Sequence, residues 1–229
     1  MNRRAMTIGL SAAALGLLVG PPATHAQALT DQQTVLQRAS VTVADMRRSQ
    51  QFRSLSTYFH RARAVLIIPR FYKGSFFVGG AGGRGVLLVH DGHGRWSAPA
   101  FFTIGSASFG LQIGIEQSEM VLFIMNQRAL DAVVHNKVSL GVDGGLAVAN
   151  VGGNVGGATT TAAGADVLAW AQSQGAYVGI SLEGSVLAPD PEADSVYYRR
   201  NVTTDEVLYR LRDTEPTAVN LQRTLSSVA

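Results

Sequence analysis

The chain has 229 residues, 46% of them hydrophobic and only 15% charged, with 25 glycines, no cysteine and a net charge of +3. That balance excludes a disordered chain, which lacks the apolar surface to offset its ordering entropy. The lack of cysteine excludes disulfides, thiolate metal sites and a lipid anchor that requires a cysteine after cleavage.

At the N-terminus Arg3 and Arg4 form a positive head, and residues 8–19 form an uncharged apolar run. Pro21 and Pro22 then break it, and Ala26-Gln27-Ala28 supplies a small-x-small cleavage pattern. The run is about a dozen residues, short of the roughly 20 that a spanning helix needs. The expected reading is a signal peptide over residues 1–28. The mature protein is then exported, periplasmic or peripherally attached to the cell-envelope membrane, and the arginine pair leaves both Sec and twin-arginine export open. Removing Arg3 and Arg4 leaves 17 basic against 16 acidic side chains, so the distribution matters more than the sum. Residues 31–73 hold eight basic side chains against Asp31 and Asp45, whereas acids outnumber arginines from Glu183 onward. One basic end on a neutral protein points to an anionic counterpart.

Residues 29–63 read as a basic amphipathic helical region. Thr30 with Gln33 makes a capping box, followed by Val35, Leu36, Ala39, Val43 and Met46 at helical spacing. A second stripe holds Phe52, Leu55, Phe59 and Ala62, with Arg53, Arg61 and Arg63 off it. Residues 64–212 read as a β-rich domain. Residues 64–68 are a β-branched run stopped by Pro69, residues 75–78 and 86–90 are apolar runs flanked by glycine, and Asp91-Gly92-His93-Gly94 is a hairpin turn. Gly110 and Gly114 fall where strands bend or touch. Residues 120–125 are a continuous apolar strand, and Asn126 caps a helix to about Val134. Residues 138–149 resume β character, and residues 151–164 form a small-residue stretch read as a loop. Residues 166–174 and 177–182 make a hairpin about Gly175, and Pro189 and Pro191 mark a surface turn. A last helix starts at Thr203 or Thr204, and residues 213–229 are expected to fray. The fold class is α+β: a curled, barrel-like antiparallel sheet with N-terminal helices, one central helix and a C-terminal helix.

The chemistry-bearing patterns are thin. Gly80-Ala81-Gly82-Gly83-Arg84-Gly85 matches G-x-G-x-x-G, but Val86-Leu87-Leu88-Val89 follows as strand, whereas a nucleotide site needs a helix N-terminus there. His90 and His93 flank Asp91 without an evident third metal ligand. Ser106 and Ser108 do not form a G-x-S-x-G elbow. Glu183 closes an apolar strand, where a salt bridge to an arginine is the plainer role. No catalytic set, metal site or cofactor emerges. A basic region without interleaved aromatics also argues against nucleic acid.

The run from Trp96 through Pro99, Phe101, Phe102, Gly105, Ser106, Ser108, Phe109, Gly110 and Gln112 to Gly114 resembles the signature of the SYLF domain family, a group of lipid-binding domains. Residues 64–69, the glycines of 79–85, Glu183-Gly184 and Tyr197-Tyr198 agree in order, so the resemblance covers about residues 35–210. It implies phospholipid binding by a bacterial exported member. In eukaryotic SYLF proteins a basic N-terminal helix contributes to phosphoinositide binding, and some members bind actin and carry SH3 or FYVE modules. Here lipid binding carries over as a class, without a headgroup. The basic residues that would meet an anionic phospholipid or membrane surface are Arg47, Arg48, Arg53, Arg61 and Arg63. The alternatives are a periplasmic structural or interaction protein, and an envelope hydrolase using Ser106 or Ser108 with His135.

Overall fold

A computed structural model describes residues 29–49, 51–75, 79–108, 114–152, 164–174 and 176–228. The expected signal at 1–28, most of the small-residue stretch at 151–164, and Phe109, Gly110, Gln112 and Gly175 lie outside them. Among the described residues, no helix is long and apolar enough to cross a membrane.

Two helices open the fold, α1 (Asp31–Arg48) and α2 (Phe52–Arg61). The capping box closes as expected. The Gln33 N–H donates to Thr30 Oγ1 at 3.2 Å, and the Thr30 N–H donates to Gln33 Oε1 at 3.0 Å. Four long strands follow: β1 (Ala64–Ser75), β2 (Gly79–Val89), β3 (Ala100–Ser108) and β4 (Gly114–Ile124). Asn126 then caps α3 (Gln127–His135), its side-chain oxygen accepting from the Ala129 N–H at 2.9 Å. Short strands β5 (Val138–Ser139) and β6 (Val148–Asn150) lead to β7 (Val167–Ser173), β8 (Ala176–Tyr177) and β9 (Val186–Pro189). Helices α4 (Pro191–Tyr198), α5 (Thr204–Arg210) and α6 (Pro216–Ser226) complete the chain.

The strands form one curled sheet in the order β5-β9-β3-β2-β1-β4-β7-β6, with β8 on β7. Every pairing is antiparallel except β6 with β7. Over residues 64–68, 120–124 and 167–171 both faces are covered, which explains why β1, β4 and β7 carry unbroken apolar runs there rather than alternation. Leu66, Leu122 and Ala169 face a core closed by α3 and α5. Val65, Phe123 and Trp170 face a second core closed by α1, α2 and α6.

Three expectations are corrected. Pro69 does not stop β1. The register slips between Ile67 and Arg70 against β2 and between Ile68 and Phe71 against β4, a bulge where proline's missing N–H is tolerated. Pro191 is not a turn residue but the first residue of α4, behind an Asp190 cap that accepts from the Ala193 N–H at 3.1 Å. The C-terminus does not fray at residue 213. Ala218, Leu221 and Leu225 are fully buried against α1 and the sheet, so burial of an apolar face orders a helix whose start is marked by Pro216 and by the Glu215 side chain, which accepts from the Thr217 N–H at 2.8 Å.

Candidate functional site

The basic N-terminal residues follow from how the first two helices dock. Leu36, Ala39, Val43 and Met46 on α1, and Leu55 and Phe59 on α2, turn inward and are fully buried. The polar flanks are left outside, so Arg47, Arg48, Arg53 and Arg61 are exposed, and Arg63, in the connection from α2 to β1, is exposed as well. Their surroundings differ. Arg48 pairs with Asp45 at 2.7 Å, and Arg47 donates to Ser227 Oγ at 3.4 Å. Arg53, Arg61 and Arg63 meet no carboxylate among the described residues. The apolar stripe is therefore committed to the core and cannot also lie in a bilayer. Any membrane contact by this region acts through its outward charges.

The fold brings Arg63 beside two arginines far away in sequence. A cleft of about 650 Å³ is lined by Arg63, His90, Arg95, Trp96 and Arg212, with Leu208 on its apolar wall. The β2–β3 connection supplies His90 to Trp96, and the segment between α5 and α6 supplies Arg212. Arg95 is already neutralised, because its Nε donates to Asp91 Oδ2 at 2.7 Å. That bond, with the His93 N–H, holds the Asp91 carboxyl well below the usual carboxylate range. Arg63 and Arg212 have no such partner among the described residues. Asp213 also lines the cleft, and its Oδ2 is buried without a hydrogen-bond partner among the described residues. His90 packs against Trp96 at a tilt of 37° with ring centres 4.8 Å apart, and burial lowers its pKa, which favours the neutral ring. Asp91 is thus engaged by Arg95 and His93, and no group of three His, Cys, Asp or Glu among the described residues is placed to hold a metal.

The family-motif residues are mostly scaffold. Trp96 is buried, and its carbonyl accepts from Gln222 Nε2 on α6 at 3.4 Å. The Pro99 carbonyl accepts from Tyr198 Oη at 2.8 Å. Phe101 and Phe102 point into opposite cores. Gly105, Ser106 and Ser108 lie on β3, and Gly114 opens β4. Glu183 is exposed and makes no salt bridge among the described residues, so the salt bridge expected for it is not formed. Together with Lys73, Ser106 and Glu116 it lines a small pocket of about 210 Å³. Gly184 adopts a φ of +76°, which a glycine takes without strain. His135 is elsewhere, on α3, with Nδ1 at 2.9 Å from the Asp131 carbonyl and Nε2 at 3.7 Å from Asp205. It does not line the pocket that holds Ser106. The glycine run at 80–85 lies inside β2 and opens no helix, which removes the geometry a pyrophosphate requires.

Sequence reasoning missed Arg95 and Arg212, and no local signal joins them to Arg63, since only the packing of α5 and α6 against the β2–β3 connection does so.

Comparison with known proteins relates the chain, rather than this cleft, to others. Residues 105–228 match the Ysc84 family, described as "Las17-binding protein actin regulator". The chain is 33% identical over 145 residues to SH3 domain-containing YSC84-like protein 1 of Rattus norvegicus, covering 63% of this chain and 43% of that protein. It is 30% identical over 172 residues to LAS seventeen-binding protein 3 of Saccharomyces cerevisiae, covering 74% of this chain and 37% of that protein. The chain thus spans about two fifths of the length of these relatives.

Proposed function

The chain belongs to the Ysc84 family of SYLF-domain proteins, and from that premise we propose that it is a non-enzymatic phospholipid-binding protein that associates peripherally with the anionic membrane surface of a bacterial cell envelope. The observation that carries the reading is the set of exposed arginines that make no ion pair among the described residues, Arg53 and Arg61 on α2, whose apolar face is fixed in the core, and Arg63 in the connection from α2 to β1. A rigid cationic surface binds an anionic interface through charge, each basic residue near it contributing about 1 kcal/mol at low salt. Export rests on the Arg3-Arg4 head, the apolar run and the Ala26-Gln27-Ala28 pattern.

The test is co-sedimentation with phosphatidylglycerol-containing vesicles, using phosphatidylcholine vesicles as the neutral control. Replacing Arg53, Arg61 and Arg63 together by Gln is expected to lower the partition constant about a hundredfold at low salt. Replacing Arg48 by Gln together with its partner Asp45 by Asn removes a neutral pair and is expected to change it little. Added salt weakens the wild type in the same direction, because exposed charges are screened within about 10 Å at 0.1 M. A triple variant that binds as tightly as the wild type sinks the reading.

A further inference from the structure

Past the β1 bulge, the sheet face opposite α3 and α5 carries two like charges that make no ion pair among the described residues. After the bulge in β1, Arg70 pairs directly with Arg84 on β2, and Arg84 pairs with Thr103 on β3. Paired residues on antiparallel strands share a face, with Cβ atoms about 4.5–5.5 Å apart. Phe71, beside Arg70, and Ile104, beside Thr103, belong to the core under α3 and α5. Arg70, Arg84 and Thr103 therefore stand together on the opposite face. Both arginines are exposed, and neither meets a carboxylate among the described residues. Like charges directly opposite one another destabilise a sheet, so an anion bound between them would relieve a standing repulsion.

The next row along the same face has a different character. Tyr72 pairs with Gly82, Gly82 with Gly105, and Gly105 with Val186 on β9. Tyr72 is 42% exposed and Val186 40% exposed, and both rank among the chain's exposed large apolar residues. Between them lie two glycines, so the floor is bare backbone. Strands spaced about 4.8 Å apart put the two walls roughly 14 Å from each other, and two residues along a strand put this row about 7 Å from the arginines. The result is a shallow trough with two apolar walls and, at one end, two guanidinium groups beside a threonine hydroxyl.

We propose that this trough binds one anionic phospholipid, its phosphate held by Arg70 and Arg84 with Thr103, and its glycerol and adjoining chain laid over Gly82 and Gly105 between Tyr72 and Val186. The inference rests on the lipid-binding reading above and adds a second site, separate from the arginines of the N-terminal helices. Guanidinium groups present planar forks that match phosphate oxygens, and two on neighbouring strands can reach one tetrahedral group. A free inorganic anion leaves the apolar walls unused, whereas an amphiphile uses both ends.

The test exploits the absence of cysteine from the chain. A single Val186→Cys carries an environment-sensitive fluorophore, and Thr57→Cys on the exposed side of α2 carries the same label for comparison. Vesicles of phosphatidylglycerol are expected to blue-shift the label at 186. Replacing Arg70 and Arg84 together by Gln is expected to lower the partition constant about thirtyfold at low salt and to abolish that shift. Gly105→Leu, whose Cβ has only the Ala81 carbonyl oxygen nearby at 3.7 Å, fills the trough and abolishes the shift without unfolding the protein, as its thermal midpoint will report. A shift at 57 with none at 186 overturns this inference and leaves the membrane reading standing. No binding by the wild type overturns both. A shift at 186 produced equally by inorganic phosphate or by polyglutamate also overturns it, because the site then reads charge alone.

Discussion

Gly85 faces the β1 bulge, and a methyl group there has nowhere to go. A Cβ at this position would overlap the Ile67 carbonyl oxygen and sit 2.7 Å from Ile68 Cγ1. Ile67 and Ile68 cannot retreat: both are buried, and both pair with β4 on the far side of β1. Gly85→Ala must therefore shift strand backbone or force Ile68 off its rotamer. Overpacking of this kind costs about 1–3 kcal/mol. In a domain of this size each kcal/mol moves the thermal midpoint by about 2–4 °C, so a fall of roughly 2–12 °C is expected. Gly80→Ala is the control, since its Cβ meets only the Ser106 carbonyl oxygen at 3.8 Å, an ordinary contact. Calorimetry or circular dichroism melting of both variants checks the argument. A Gly85→Ala protein that melts with the wild type would show that the bulge relaxes freely and that the glycine is not conformationally required.

Leu221 is fully buried under α1, so Leu221→Ala should destabilise the protein by about 2–5 kcal/mol in urea unfolding. A loss below about 0.5 kcal/mol, the range of a surface site, would mean that α6 is not part of the core. Asp194 gives the pH prediction. It is fully buried, its Oδ1 accepts from the Phe101 N–H at 2.8 Å, its Oδ2 has no partner among the described residues, and burial pushes its carboxyl up to about 7. A raised carboxylate pKa means that the folded state holds the proton more tightly than the unfolded one. Its stabilising contribution is thus complete below about pH 4 and lost as pH rises to about 7. The stability difference between wild type and Asp194→Asn, followed by urea unfolding, should fall across that window, and a difference flat from pH 4 to 8 would refute it.

The local signals in the sequence were sufficient for much of the fold. Thr30 and Asn126 carry side-chain acceptors at the right distance from their partners, and a cap is decided within three residues. The apolar runs at 64–68 and 120–125 become strands because that density of apolar side chains has to be buried. The motif between Trp96 and Gly114 identified the family without any geometry, since its residue order is specific over a long stretch. Tertiary structure alone decided the rest. Whether α6 frays or packs depends on an apolar face of α1 that lies about 180 residues away in the chain. The bulge at Pro69 sets the register that puts Arg70 opposite Arg84 rather than on the other face of the sheet. The cleft of Arg63, Arg95 and Arg212 likewise exists only once α5 and α6 close against the β2–β3 connection. Such meetings of distant charges depend on register and layer packing, and neither is written in the neighbours of any one residue.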